Sequence, residues 1–126
     1  MTVKPMAFTT VEFETKTENP NYEGVFDIAP AELQQKMNQV KMIDVRQPDE
    51  FTGELGHVGG AELIVLDTLP SQIANLPKDQ TIVFICRSGA RSGNATAYAL
   101  MNGFTNVYNM KGGMLLWNQL QLPVER

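Results

Sequence analysis

Thr81-Ile-Val-Phe-Ile-Cys86-Arg-Ser-Gly-Ala-Arg91-Ser-Gly-Asn-Ala-Thr-Ala-Tyr-Ala-Leu-Met101 is the stretch that decides the fold. Its first five residues are β-branched or aromatic throughout, the pattern of a strand buried on both faces. From about Ala90 onward, Ala97, Leu100 and Met101 recur at helical spacing. Gly103 is placed to end that helix, with Phe104 as the apolar contact beyond it. A buried strand, a short glycine-containing loop and a helix form the opening of a unit in which strands lie parallel and helices cover them. In open sheets of this kind ligands bind beyond the carboxyl ends of the strands, and Cys86 stands at such an end.

Outward from this segment, strands and helices alternate. Gly24–Ile28, Val40–Val45, Ala61–Leu66 and Asn106–Met110 read as further strands. Pro30 opens a helix running to about Asn38, with Glu32 in its first turn and Ala29 where a capping side chain is expected. Pro48, Asp49 and Glu50 open a short helix with acid at its positive end. Asp67 or Thr68 is placed to cap a helix through Leu69, Ile73 and Leu76. Gly112-Gly113 makes a turn before a last helix, Met114–Leu120. Residues 1–22 read as an N-terminal extension and 23–126 as the domain proper. Within the extension, alternation around Val11 and Phe13 allows a short edge strand, and Asn19-Pro20-Asn21 punctuates the chain. The expected fold class is α/β, a mainly parallel sheet with helices on both faces.

The 126 residues fit one domain that buries a core without staples. A net charge of −4, with no block of Lys or Arg, argues against nucleic-acid and membrane-surface partners. One cysteine forms no internal disulfide and no Cys-x-x-Cys pair. The apolar runs are too short to span a bilayer, and the N-terminus lacks the apolar stretch of a secretory signal, so a cytoplasmic location is expected. One His and one Cys offer no metal site, and no cofactor is expected.

A thiol at a helix start sits where unpartnered N–H groups and the helix dipole favour an anion, and the arginines add to that preference. Gly89 lets the backbone bend so that N–H groups converge, and Ser88 and Ser92 add hydroxyl donors. A buried core cysteine is the plain alternative. It has no use for a glycine loop followed by two arginines, so Cys86 is read as a nucleophile.

The loop CRSGARS resembles the rhodanese family of sulfurtransferases, and the likeness continues beyond it. Ile43-Asp44-Val45-Arg46 before Pro48-Asp49-Glu50-Phe51, Gly56-His57-Val58-Gly59-Gly60-Ala61, and Lys111-Gly112-Gly113 with Trp117 all resemble family signatures in the family's order. Gly59 stands where proline is usual and Met114 where Trp is common. The resemblance covers roughly residues 24–122 and implies a five-stranded, largely parallel sheet. It also implies a two-step transfer: the Cys86 thiolate takes the outer sulfur of a donor such as thiosulfate, and cyanide or a thiol then removes it.

On this reading the backbone N–H groups of Arg87, Ser88, Gly89, Ala90 and Arg91 cradle the transferred sulfur. Arg87 and Arg91 bind an anionic donor. Asp44, Arg46 and Ser92 support the loop, with Arg46 able to pair with Glu50. His57 is expected to bond its own turn to the backbone, and Trp117 to fill the core. Two other functions compete. Cysteine phosphatases place one residue more between Cys and Arg than the four found here, so this loop makes a smaller cradle. A persulfide carrier or regulatory module would use the same cysteine with a protein partner in a sulfur relay.

Overall fold

The computed structural model describes residues 11–126; the first ten residues of the expected extension lie outside them. The strands are β1 (Thr17–Glu18), β2 (Phe26–Ile28), β3 (Lys41–Asp44), β4 (Glu62–Leu63), β5 (Ile82–Ile85) and β6 (Val107–Met110). The helices are α1 (Pro30–Lys36), α2 (Pro48–Phe51), α3 (Leu69–Gln72), α4 (Ala90–Met101) and α5 (Gly113–Gln119). The strands form one sheet in the order β1-β2-β6-β5-β3-β4, parallel except for the β1–β2 pair.

Among the described residues the sheet therefore has six strands, where the resemblance implied five. The extra strand comes from the N-terminal extension. Asn19 Oδ1 accepts the N–H groups of Asn21 (2.8 Å) and Tyr22 (3.0 Å), making a turn that folds Thr17 back onto Asp27. The expected edge strand at Val11 and Phe13 is displaced to Thr17–Glu18. Val11 and Phe13 instead bury their side chains, each about 5% exposed, in the core shared with Leu33, Met110 and Trp117. That segment is tied by Val11 N–H to Thr81 Oγ1 (3.0 Å) and by the N–H groups of Glu14 and Thr15 to Glu32 (2.8 and 2.9 Å). Burial would raise the Glu32 carboxyl, but Lys36, Thr15 and Glu14 outweigh it and hold it at about 2.

β5 is one of the two central strands, and all four of its residues are fully buried. Its side chains alternate between two cores. Ile82 and Phe84 face Leu69, Ile73, Ala95 and Ala99 of the α3 and α4 layer. Val83 and Ile85 face Leu33, Met114 and Trp117 of the α1 and α5 layer. Because β3, β5 and β6 run parallel, Asp44, Ile85 and Met110 end on one edge of the sheet.

Two elements are shorter than their sequence patterns predict. β4 covers only Glu62–Leu63 because the chain then leaves the sheet, with Leu66 N–H bonding Val45 O. α3 is a single turn between tight turns at Leu66–Thr68 and Ile73–Asn75. Thr68 does not cap it, since its hydroxyl donates to Val65 O (2.8 Å) instead of accepting. The end of α4 follows its pattern closely. Phe104 N–H bonds Ala99 O and Gly103 N–H bonds Leu100 O, with Gly103 at φ +89° and Phe104 buried.

Candidate active site

β5 delivers Cys86 to the carboxyl edge of the sheet, where the residue is about 1% exposed. The chain then turns through Gly89, whose φ of +102° is a backbone conformation that favours glycine. The turn aims Gly89 N–H at Cys86 Sγ, 3.0 Å away. Ser92, one turn into α4, places its Oγ 3.2 Å from the same sulfur. Among the described residues no side chain caps the start of α4.

A second helix start holds the loop from the other side. Met114 N–H bonds Cys86 O (2.8 Å) and Leu115 N–H bonds Arg87 O (3.0 Å). Gly113 lies at φ +59°, and a Cβ there would meet Arg87 O at 2.4 Å and Cys86 O at 2.5 Å. Only a glycine lets α5 approach the loop this closely.

The two loop arginines have different fates. Arg91 is bound by both oxygens of Glu50 (2.8 Å each), a residue 41 positions earlier on α2. Arg91 holds the Glu50 carboxyl down at about 2, helped by the N–H of Gln47, against a smaller opposing effect of burial. Glu50 in turn raises Arg91. Arg87 is exposed and pairs with no carboxylate among the described residues. It opens onto a cleft of about 350 Å³, walled by Leu55 and Leu115 and rimmed by Asp49, Glu50 and Glu54.

A family model described as the rhodanese-like domain matches residues 29–120. The chain belongs to that family. A sulfurtransferase of Allochromatium vinosum is 35% identical over 85 residues, spanning 68% of this chain and 78% of the relative. Thiosulfate sulfurtransferase GlpE of Pseudomonas aeruginosa (strain PAO1) is 33% identical over 94 residues, spanning 74% of this chain and 84% of that protein. Some other curated relatives are longer, the chain spanning 61% and 54% of two of them. Among solved structures, a rhodanese-related protein from Thermoplasma volcanium superposes with a TM-score of 0.71 at 26% identity, covering 77% of this chain and 94% of that one.

Behind the rhodanese loop, Asp44 and Arg46 form a buried pair. Arg46 Nε donates to Asp44 Oδ1 (2.9 Å) and Nη2 to Oδ2 (2.8 Å). Two further donors of the guanidinium reach Gly56 O (2.8 Å) and Glu50 O (3.2 Å). The expected side-chain pair of Arg46 with Glu50 is therefore corrected. Arg46 spends its planar fork on Asp44, two residues away, and meets only the backbone of Glu50, whose carboxylate goes to Arg91. His57 bonds Phe51 O, at the end of α2, through Nδ1 (2.8 Å) and stacks on the Phe51 ring at 3.7 Å, while its backbone pairs with Glu125, so it ties its turn to α2 and to the C-terminal segment. Trp117 is buried and donates to Pro123 O (2.9 Å).

Of the residues singled out in the sequence, Cys86, Gly89 and Ser92 meet around one sulfur atom, and Arg87 stands at the adjoining cleft. Ser88 and Ala90 are exposed. Sequence reasoning passed over Asn109, which the structure places at Ser92. Asn109 Oδ1 accepts the Ser92 hydroxyl, and Asn109 Nδ2 donates to Asp27 Oδ1 (2.9 Å) and Gly89 O (3.2 Å). The available signal was an amide in the apolar strand Val107–Met110, a position that is costly unless hydrogen-bonded.

Proposed function

We propose that the protein is a sulfurtransferase that carries sulfane sulfur on Cys86, taking it from an anionic donor such as thiosulfate. The observation that carries this reading is the turn itself. Four residues separate Cys86 from Arg91, and the turn brings Gly89 N–H to 3.0 Å from the sulfur. A donor aimed there stabilises negative charge on sulfur before and after transfer. A cysteine about 1% exposed favours a slim terminal sulfur over a phosphoryl group.

In the first step the Cys86 thiolate attacks the outer sulfur of thiosulfate. A new S–S bond forms, the old one breaks, and sulfite leaves with its electron pair. In the second step cyanide or a thiolate attacks the outer sulfur of the Cys86 persulfide. Thiocyanate or a new persulfide leaves, and the thiolate returns. The covalent intermediate divides one transfer into two easier ones. Arg87 attracts the sulfonate end of the donor, while Arg91, already bound to Glu50, braces the loop.

Thiocyanate production by wild type and Cys86→Ser tests the reading. The variant should fall to background, and mass spectrometry of thiosulfate-treated wild type should show about one added sulfur (~32 Da), the persulfide of covalent catalysis. Equal turnover in the two proteins, or faster hydrolysis of p-nitrophenyl phosphate than sulfur transfer, overturns it. Arg87→Ala should raise KM for thiosulfate about tenfold, the size of one charge-assisted contact. An unchanged KM removes Arg87 from donor binding.

A further inference from the structure

We propose that Asn109, held in place by Asp27 and Gly89 O, positions Ser92 and controls when its hydroxyl proton is given to Cys86. The argument is a count of hydrogens. Ser92 has one hydroxyl hydrogen and two heavy-atom neighbours that want it, Asn109 Oδ1 and Cys86 Sγ. Both Nδ2 hydrogens of Asn109 are spoken for, by Asp27 Oδ1 and Gly89 O. The amide therefore cannot turn over, and Oδ1 must face Ser92. Asp27 is itself anchored by Asn19 Nδ2 (2.9 Å). Ser92 and Asn109 are about 0% and 2% exposed, so no bulk water substitutes for a lost partner.

While Cys86 is a thiol, Ser92 donates to Asn109 and accepts the S–H. When the thiol loses its proton to solvent, the hydroxyl turns from Asn109 to the sulfur. The thiolate thus gains a donor at the expense of the Ser92–Asn109 bond, so Asn109 competes with the thiolate for the proton. Asn109 is a positioning residue, since its influence on sulfur passes through Ser92. The charged groups on the surrounding elements are Arg91 of α4, Arg87 of the loop, Glu50 of α2, Asp44 and Arg46 at the end of β3, Asp27 of β2 and Lys111 after β6. Ser92→Ala touches none of them; Asn109→Leu removes one donor from Asp27, which keeps Asn19 Nδ2, and the double variant controls for that change.

The inference rests on Cys86 as the reacting group, but its test does not need sulfur transfer. With one cysteine in the chain, the rate of iodoacetamide alkylation against pH reports the Cys86 thiolate alone. Ser92→Ala should move the alkylation midpoint up by about one pH unit, the size of one hydrogen bond to a charged group. Asn109→Leu should move it down, because the hydroxyl then has no competitor for the thiolate. The double variant should match Ser92→Ala alone. A midpoint unmoved by Asn109→Leu, or a downward shift that persists in the Ser92→Ala background, overturns the proposal. Thermal unfolding verifies that each variant folds, and Asn109→Ala replaces Asn109→Leu if the larger side chain does not fit. If neither folds, the Ser92→Ala midpoint decides, a rise supporting the proposal and an unmoved value overturning it.

Discussion

Two helices start at the loop that carries Cys86, and they spend their first N–H groups differently. Both begin after a glycine at positive φ, Gly89 for α4 and Gly112 for α5, and neither has a side-chain cap. At α5 the N–H groups of Met114 and Leu115 are consumed by the carbonyls of Cys86 and Arg87. At α4 the turn points Gly89 N–H at Cys86 Sγ. One helix start is a clamp and the other faces the reacting atom. The lesson is that an uncapped helix start is not by itself a binding site. What decides its use is whether neighbouring backbone has already taken its donors.

The largest expected effect comes from breaking the clamp. Gly113→Ala forces a Cβ to 2.4 Å from Arg87 O in a left-handed conformation. It should destabilise the fold by about 3 kcal/mol or more, combining backbone strain with overpacking. Denaturant unfolding measures this, and a variant within experimental error of wild type would show that α5 does not hold the loop. Gly89→Ala breaks the other start. Its Cβ would stand 3.3 Å from Gly112 N, a tight but not impossible contact, at φ +102°. A stability loss of about 1–2 kcal/mol is expected, with a larger proportional fall in the single-turnover rate of persulfide formation. Stability and rate falling in step would mean that the Gly89 N–H has no special part in the chemistry.

The smallest effect sharpens the comparison by testing the brace across α4. Glu50 sits at about 2, below its ordinary 4.5, with Arg91 as the chief cause. A carboxyl lowered on folding contributes stability above its unfolded value and loses it as pH falls through the folded one. The contribution should therefore be full near neutrality and fade between about 4.5 and 2. Arg91 is 37% exposed at its side chain, so Glu50→Gln should cost no more than about 1 kcal/mol near pH 7. Unfolding at several pH values should show the gap between wild type and variant closing on acidification; a constant gap would assign the cost to something other than ionisation.

Legibility followed the range of the interactions. The end of α4 was readable because Gly103 and Phe104 act within one turn. The β5–loop–α4 unit was readable because its strand, glycine and helix signals are contiguous. The start of α3 is the exception: Thr68 can cap forward or donate back to Val65 O within the same three residues, and the structure has the second, which leaves the helix uncapped. The edge strand of the extension is placed at Val11 and Phe13 in sequence and stands at Thr17–Glu18 in the structure, for a reason of range. Thr17–Glu18 carries no strand pattern of its own, and its pairing depends on the turn at Asn19 folding it onto β2. The partner of Arg46 is misassigned because residues at i−2 (Asp44) and i+4 (Glu50) both offer carboxylates in sequence, and only packing chooses between them.

The chain by itself determined the α/β alternation, the place of Cys86 at a strand end, and the short turn to Arg91. These rest on side-chain pattern and backbone freedom within a few residues. Tertiary structure alone decided that Arg91 is bound by Glu50 while Arg87 pairs with no carboxylate among the described residues, that Gly113 must be glycine, and that Asn109 reaches Ser92. Each of those contacts joins segments far apart in the chain, where a side chain's partner depends on which strands lie side by side.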